Sequence, residues 1–357
     1  MNLYMYIWFG YMHFKSITIK DIAKALGLSI STVSKALRNS YEISEETKKM
    51  VGDYAHSHNY RPNPLAQGLR KGTSKTIGVV VAVFDDNFFS KVIDGIESSS
   101  NEHGYSVIFT QSRESYDKEK QNVQTLADRS LDGLLISLSS GTKDLSYLKE
   151  LSNIGLPIVL FDRISEEINT HKVVCNNYKG GYEATEHLIK NGCKNIAHIT
   201  SNITLSYSKE REDGYLNALK YYSFPIEESN IIYCNQEDDI YDQANNAIDK
   251  LLNKKNPPDA IFCGSDVLST TVFRILKKKN IRIPEEIAIV GFSNSASAEA
   301  YDPSFTTVEQ PTFEMGQKAT ELLIQLMEAK RKPLKYDTIV LDPVLHVRKS
   351  SQKLEIV

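Results

Sequence analysis

The feature that most restricts the fold of this 357-residue chain is an alternation, after Lys75, of short apolar runs with amphipathic helical segments. Apolar runs of this length, separated by helices, are typical of buried parallel strands. The pattern therefore predicts parallel sheets with helices on both faces, and the number of strands suits two α/β lobes. The predicted strands are 77–83, 105–110, 131–137, 157–162, 196–200, 231–234, 260–263 and 287–292.

Charge is unevenly placed along the chain. The net charge is only -3, which argues against a protein that coats nucleic acid nonspecifically. Between Ser16 and Lys75, however, ten Lys or Arg stand against five Asp or Glu. A local basic surplus of this kind is typical of a small unit that contacts phosphate.

Two features exclude other classes of protein. The four cysteines, Cys175, Cys193, Cys234 and Cys263, show no zinc spacing, so we expect reduced structural thiols in a cytoplasmic protein with no metal site and no cofactor. Residues 1–15 lack a basic n-region and a cleavage site. That extension is therefore interpreted as an upstream start or a disordered tail, and a secretory signal is not expected.

The segment 16–62 has the pattern of three short helices. Thr18, followed three residues later by Asp21, predicts an N-cap with an acidic partner, and Gly27 ends that helix. Ser29 is placed to cap a second helix, so the two helices form a helix-turn-helix. The second helix should bury Val33, Ala36 and Leu37 and turn outward Ile30, Ser31, Thr32, Ser34, Lys35 and Arg38, a set suited to the floor of a major groove.

A third helix should begin at Ser44, with Met50, Val51 and Tyr54 facing inward. The segment 63–75 then reads as a hinge helix and linker, because Asn63-Pro64 is a helix start and the helix that follows is under two turns. So short a helix should form only against a partner such as DNA, where Leu69 could act as a wedge in the minor groove.

These motifs closely resemble those of the LacI family of bacterial repressors, over nearly the whole chain. The resemblance rests on Asp21-Ile22-Ala23, Gly27-Leu28-Ser29, Thr32-Val33-Ser34 and Tyr60-Arg61-Pro62-Asn63, and on Ile77-Gly78-Val79-Val80, Asp162-Arg163, the Arg211 to Gly214 spacing, Ile289-Val290-Gly291-Phe292 and Thr306-Thr307-Val308-Glu309-Gln310. It implies a headpiece at 16–62, a core of the periplasmic-binding-protein type at 76–357, and a homodimer on a pseudo-palindromic operator.

By this resemblance, Ile30, Ser31 and Lys35 read bases, while Ser29, Thr32, Ser34 and Asn63 contact mainly phosphates. The full set assigned to DNA is Ile19, Lys20, Ser29, Ile30, Ser31, Thr32, Ser34, Lys35, Arg38, Tyr60, Asn63, Ala66, Gln67 and Leu69.

The candidate ligand-binding residues follow the predicted strands, at the edge where open α/β sheets bind ligands. Aromatic rings suit the apolar faces of sugars, carboxylates accept from hydroxyls, and an arginine can donate a bidentate pair. We assign to a small effector, expected to be a sugar, Phe88, Phe89, Asp162, Arg211, Asp266, Ser293 and Gln310.

Simpler roles stay open for most of these residues. Phe88 and Phe89 could belong to the core or to a dimer interface, and Asp162 and Asp266 could be caps. Arg211 could be a solvated member of an ion pair. Ser293 stands where many sugar-binding family members carry an acid, which leaves the particular sugar undetermined.

Two other classes of protein are alternatives to a DNA-binding regulator. A periplasmic sugar-binding protein has the same core but needs a signal peptide and no headpiece. An enzyme needs catalytic machinery, and GxxxxGK[ST], GxSxG and HExxH are all absent. We therefore expect a non-enzymatic transcriptional regulator, in which ligand closes the two lobes and alters the hinge helices, with either sign of regulation possible.

Overall fold

The computed structural model describes residues 17–61, 73–84, 87–201, 205–235, 239–329, 331 and 333–352. The chain divides after Ser74 into two compact units. The extension 1–15 and the predicted hinge residues Asn63, Ala66, Gln67 and Leu69 lie outside the described residues.

The described part of the first unit contains three helices: α1 Ile19–Leu26, α2 Ile30–Leu37 and α3 Glu45–Ser57. Each begins where the sequence predicts. Thr18 and Asp21 form a reciprocal capping box, Gly27 ends α1 with a φ of 64°, and Ser29 and Ser44 cap the next two helices through their side chains. These caps satisfy the backbone N–H groups that every helix start leaves unpaired.

The three helices share a small core around the fully buried Ile22, Val33 and Val51. The prediction that Met50 faces inward is wrong, because its side chain is 42% exposed. Val51 and Ala55, one turn apart, occupy the buried face of α3. Met50 lies one residue earlier and so points about 100° away from that face.

The second unit contains two six-stranded sheets, which form the two α/β lobes that the alternating pattern predicts. The pattern does not indicate four of the strands, His171–Cys175, Thr306–Glu309, Thr338–Leu341 and Val344–His346. The first has the order β11-β5-β4-β3-β1-β2 and the second the order β12-β10-β9-β8-β6-β7. Every pairing is parallel except that of β10 with β12. The strands are β1 Thr76–Val81, β2 Ser106–Gln111, β3 Gly133–Ile136, β4 Ile158–Phe161, β5 His171–Cys175, β6 Ile196–Thr200, β7 Ile231–Tyr233, β8 Ala260–Cys263, β9 Ala288–Phe292, β10 Thr306–Glu309, β11 Thr338–Leu341 and β12 Val344–His346.

Helices cover both faces of each sheet, and each lobe has apolar clusters of its own. The N-lobe, built on the first sheet, carries α4 Asn87–Glu102, α5 Tyr116–Ala127, α6 Ser146–Asn153 and α11 Thr312–Glu328. The C-lobe, built on the second sheet, carries α7 Asn177–Lys190, α8 Ser206–Tyr221, α9 Ile240–Leu252 and α10 Asp266–Lys278.

Neither lobe is a continuous piece of chain. After β10 the chain returns to the N-lobe to form α11 and β11, and it then ends in the C-lobe with β12. Three connections therefore join the lobes, which is a geometry that allows two rigid bodies to close on each other.

Glycines bring two helix pairs into direct backbone contact, one pair in each lobe. A Cβ atom on Gly316 of α11 would lie 2.2 Å from the carbonyl oxygen of Val92 in α4. In the C-lobe, a Cβ on Gly214 of α8 would lie 2.2 Å from the carbonyl oxygen of Tyr178 in α7. No side chain fits at either crossing, so the pattern of glycines sets the distance between the helices.

Candidate functional site

The outer face of α2 is the candidate DNA-reading surface. Ile30, Ser31 and Arg38 are exposed, and Thr32, Ser34 and Lys35 are half-buried. Ile30 is apolar and 48% exposed, so its side chain is available for contact with a thymine methyl group. Among the other predicted residues of this unit, Lys20 and Ser29 are exposed, and Ile19 and Tyr60 are half-buried.

Two basic side chains of α2 are held by neighbours. The Arg38 guanidinium donates to the carbonyl oxygen of Ser34 at 2.9 Å and to its hydroxyl at 3.0 Å. Lys35 forms an ion pair with Glu42. An exposed pair of this kind is worth little, so a phosphate or a base edge could replace Glu42 as the partner of Lys35.

In the second unit, the predicted effector residues lie at the carboxyl ends of strands or at the starts of the helices that follow. Phe88 and Phe89 are in the first turn of α4 and pack edge to face, with ring centroids 5.0 Å apart. Both rings are buried in the N-lobe core. Packing is therefore part of their role, as the simpler interpretation allowed.

Arg211 is buried in the C-lobe, so the interpretation as a solvated ion-pair member is wrong. Its guanidinium donates to Asn177 Oδ1 at 2.9 Å, to the carbonyl oxygen of Gly264 at 2.7 Å and to Gln310 Oε1 at 3.0 Å. It also lies over the ring of Phe292, 3.6 Å from the centroid. Burial lowers the pKa of Arg211.

All three acceptors bonded to Arg211 are neutral. A guanidinium has five N–H donors, so two remain after these bonds for a ligand. The side chain is also fixed on both its edge and its face, and a fixed donor loses little conformational entropy when a ligand binds.

Gln310 and Asn294 are locked together by their amides. The Asn294 side chain donates to the carbonyl oxygen of Gln310 at 2.8 Å and accepts from its backbone N–H at 3.2 Å. The sequence does not predict this pairing. It means that Asn294 positions Gln310, whose own amide oxygen faces Arg211.

Asp266 and Ser293 also lie together, and they reach the other lobe. The Ser293 hydroxyl donates to the Asp266 carboxylate. Asn87, the first residue of α4 in the N-lobe, donates to the second Asp266 oxygen at 3.3 Å. Asp266 is the first residue of α10, and Ser265 is the residue that caps that helix. Its carboxylate therefore serves the contact between the lobes and not the cap.

Asp162 follows β4 directly and has a φ of +58°, in the left-handed region. Its carboxylate accepts from the Ser137 hydroxyl at 3.2 Å and lies 3.8 Å from the Arg163 guanidinium. A non-glycine residue in this conformation is uncommon and is concentrated at functional sites.

Several buried polar atoms near Arg211 have no hydrogen-bond partner among the described residues. They are Thr200 Oγ1, Ser201 Oγ, Ser208 Oγ and His198 Nε2. Buried polar groups are normally paired, and exceptions mark a bound ligand or water. Thr200 and Ser201 end β6, and Ser208 lies in the first turn of α8, so this group extends the site beyond the predicted residues.

Sequence reasoning also missed three residues that contact Arg211 or the Asp162 carboxylate. Tyr207 lies between two arginines, with its ring centroid 4.9 Å from Cζ of Arg211 and 5.5 Å from Cζ of Arg163. Arg163 could have been found, because it is half of the Asp162-Arg163 motif. Asn177 is distant in sequence from Arg211, and nothing in the sequence marks it as the partner.

Neither a metal site nor a membrane span appears in the part of the chain that the structure describes. No three His, Cys, Asp or Glu side chains in those ranges are grouped so as to hold a metal ion. The helices there are also too short or too polar to cross a lipid bilayer. The four cysteines are buried free thiols, as expected.

A helix-turn-helix unit joined to a two-lobed α/β core with polar groups at its strand ends defines a ligand-responsive DNA-binding regulator. Family models agree with this class. Residues 18–63 match "Bacterial regulatory proteins, lacI family", and residues 74–339 match "Periplasmic binding proteins and sugar binding domain of LacI family". The chain belongs to the LacI family of transcriptional regulators, as its motifs indicate.

Individual relatives agree along almost the full length. The chain is 30% identical over 338 residues to the HTH-type transcriptional repressor PurR of Actinobacillus pleuropneumoniae serotype 3, covering 94% of this chain and 99% of the relative. It is similar to the structure of the transcriptional regulator CelR–cellobiose complex, with 27% identity, a TM-score of 0.69, and coverage of 94% and 99%.

A third comparison concerns the fold alone. The lac repressor dimer bound to operator and the anti-inducer ONPF superimposes with a TM-score of 0.80 at 22% identity, covering 95% of this chain and 100% of that one.

Proposed function

We propose that this chain is a cytoplasmic repressor, without enzymatic activity, that binds a pseudo-palindromic operator as a homodimer and changes its operator affinity when a sugar binds. The carrying observation is the fixed guanidinium of Arg211 at the carboxyl ends of the C-lobe strands. It lies among neutral acceptors and hydroxyls that have no hydrogen-bond partner within the described ranges. Such a site is built to hydrogen-bond a neutral polyhydroxyl ligand.

The charges around the site support an uncharged ligand. Arg211 contributes one positive charge, while Asp162 and Asp266 contribute carboxylates that can accept from sugar hydroxyls. Arg163 is paired with Glu114 at 2.7 Å, so its charge is already balanced by a protein carboxylate and is a poor partner for a phosphate. The relatives named as repressors and the cellobiose complex support the same assignment.

The site joins the two lobes, and this supports control of DNA binding by the ligand. Asn87 and Asp266 already touch across the lobes, and a ligand on Arg211 and Asp162 would contact both. A ligand shifts an equilibrium only through its differential affinity for the two states. Coupling of about 1 to 3 kcal/mol would change operator affinity roughly 5- to 150-fold.

On the DNA side, we assign base contacts to Ile30, Ser31 and Lys35. Ser29, Thr32, Ser34 and Asn63 are assigned mainly to phosphates. The remaining members of the predicted set, Ile19, Lys20, Arg38, Tyr60, Ala66, Gln67 and Leu69, complete the interface.

The test is fluorescence anisotropy of the full chain on DNA from around its own gene, at fixed salt, with and without mono- and disaccharides. Tight, sequence-selective binding that one sugar shifts is the expected result, and the direction of the shift gives the sign of regulation. Binding that is salt-sensitive but indifferent to sequence would refute the role assigned to α2.

A pair of lysine variants sharpens this test. Lys20→Ala should reduce the slope of log affinity against log salt by about 1, because one phosphate contact is lost. Lys49→Ala, which removes an equally exposed charge from α3, should leave the slope unchanged. Equal slopes for the two variants would show that α1 does not face the phosphates.

A further inference from the structure

A cavity of about 220 Å³ lies between the lobes, and one of its lining residues, Tyr207, contacts Arg211. Its N-lobe walls are the loop that follows β3 and the residues that follow β4, and its C-lobe wall is the start of α8. We call this cavity the outer subsite. The residues that matter for the argument are Ser139, Thr142, Lys143, Arg163, Ser206 and Tyr207.

Tyr207 connects the outer subsite to Arg211. Its side chain lines the cavity, and its ring centroid lies 4.9 Å from Cζ of Arg211 and 5.5 Å from Cζ of Arg163, another lining residue. A ligand that is held by Arg211 and is longer than one ring could therefore extend past Tyr207 into this space.

One wall of the outer subsite is held in shape by a fully buried carboxylate. Glu119 accepts from the backbone N–H of Ser139 at 2.5 Å, from the Thr142 hydroxyl at 2.6 Å and from the Tyr147 hydroxyl at 2.6 Å. All three of these bonds go to the loop after β3 or to the helix it leads into. Burying a charge is costly, and here its contacts fix the shape of a loop that lines a cavity.

A second carboxylate fixes the adjoining wall. Glu114 accepts from the backbone N–H of Ser140 at 2.8 Å and from the Arg163 guanidinium at 2.7 Å. Burial alone would raise the pKa of Glu114, but Arg163 and Ser140 outweigh it and lower the pKa. Both walls of the N-lobe side are thus preorganised, which reduces the entropy lost when a ligand binds.

Several side chains that can donate hydrogen bonds line this space. Arg163 Nε is buried and has no hydrogen-bond partner in the described part of the chain, although it lies 3.8 Å from the Asp162 carboxylate. The Lys143 ammonium and the Ser206 hydroxyl also line the cavity. A cavity of 220 Å³ is far larger than a single water or ion needs, and its size suits a group on the scale of a sugar ring.

From this rigid polar cavity beside Arg211 we infer that the effector has at least two sugar rings, the second of which occupies the outer subsite. The inference rests on the proposed sugar-binding function and adds the size class of the ligand. Ser206, Lys143 and Arg163 are then specificity-determining residues that recognise the second ring, while Arg211 and Gln310 recognise the first.

The test is calorimetric titration of the full chain with monosaccharides and with the disaccharides that contain them: glucose with maltose, cellobiose and trehalose, and galactose with lactose and melibiose. One disaccharide should bind at least about tenfold more tightly than its own monosaccharide, the factor that one well-made hydrogen bond to a charged group supplies. A monosaccharide that binds as tightly as every disaccharide containing it would overturn the inference.

Variants locate the second ring. Ser206→Trp fills the cavity, so it should abolish the disaccharide advantage and leave the monosaccharide Kd within about twofold, whereas Ser206→Ala should retain that advantage. Lys143→Ala provides a second readout that leaves the helix start intact, and it should weaken only the disaccharide. Equal weakening of both ligands by these variants would refute the outer subsite. Absence of binding by every sugar would overturn the proposed function itself, which is a different result.

Discussion

The glycine crossing of α7 and α8 should control ligand affinity, and Gly214→Ala tests this. The new Cβ would lie 2.2 Å from the carbonyl oxygen of Tyr178 and 2.7 Å from the backbone nitrogen of Tyr182, whereas ordinary contacts begin at 3.4 Å. Both clashing atoms are backbone, so no side chain can turn away. The two helices must therefore separate by about 1.2 Å at the crossing, the difference between 2.2 and 3.4 Å.

This separation would stretch the hydrogen bond between Arg211 and Asn177. Arg211 lies on α8, one turn before Gly214, and its partner Asn177 is the first residue of α7. Lengthening their 2.9 Å bond by about 1 Å would break it and tilt the guanidinium. A displacement of this size at a group that binds the ligand can lower the ligand affinity roughly 100-fold. Overpacking should also destabilise the C-lobe by about 1 to 3 kcal/mol.

The matched control is Gly316→Ala. Its Cβ would lie 2.2 Å from the carbonyl oxygen of Val92 and 2.8 Å from the nitrogen of Ile96, so the steric insult is nearly the same but falls on the N-lobe. Calorimetric affinity for the sugar that shifts operator binding, with thermal unfolding of both variants, gives the comparison. We expect both variants to lose similar stability, and only Gly214→Ala to lose affinity for the sugar. Unchanged affinity in Gly214→Ala would refute the reasoning.

Three further outcomes follow from the described contacts. Ser31→Ala should relax operator selectivity at one base position by about 1 to 3 kcal/mol, which competition among single-base operator variants measures; a uniform loss across all variants would contradict base reading. Thr18→Ala removes the capping box with Asp21 and should lower headpiece stability by about 1 kcal/mol, and urea unfolding of the full chain monitored on headpiece NMR signals checks it. His198 is buried between Tyr215 and Phe262, and burial lowers its pKa from 6.5 to about 4. Because the unfolded chain takes up this proton first as the pH falls, the free energy of unfolding should drop by about 3 kcal/mol between pH 6.5 and pH 4. A His198→Phe chain that loses as much stability over this range as the wild type would disprove the role of His198.

Local signals predicted the fold because they act over a few residues. Thr18, Ser29 and Ser44 cap the helices that they precede, since capping depends only on the next three residues. Strands such as β1, β3 and β4 are buried along almost their whole length and are therefore almost wholly apolar, which makes them recognisable in the sequence. The edge strands β11 and β12 contain exposed residues, and the apolar pattern does not reveal them. The wrong prediction for Met50 is a shift of one position on α3. Met50 and Val51 are adjacent and both apolar, so the pattern alone does not show that only Val51 is buried.

The sequence predicts where in the fold the candidate site lies, but not which of its residues contact one another. Strand ends mark where Asp162, Asp266 and Gln310 lie, because parallel strands all end at the same edge. The partners of Arg211 depend on the packing of distant elements, and no local pattern reveals that Asn177 would accept its bond. The hydrogen bonds from the loop after β3 to Glu119 are unpredictable for the same reason, because an acid in the first turn of a helix looks like an ordinary solvated charge.

The return of α11 and β11 to the N-lobe has a consequence for synthesis on the ribosome. The headpiece elements α1 to α3 emerge first and can fold at once, because all their core residues lie between Ile17 and Tyr60. The N-lobe cannot close its sheet until Thr338–Leu341 has been made, although β1 appears at Thr76. At about 5 to 20 residues per second, the unfinished lobe waits many seconds beside a completed headpiece. A message cut short before β11 would therefore release a folded headpiece attached to an N-lobe whose sheet lacks an edge strand, and exposed strand edges of this kind make a chain prone to aggregation.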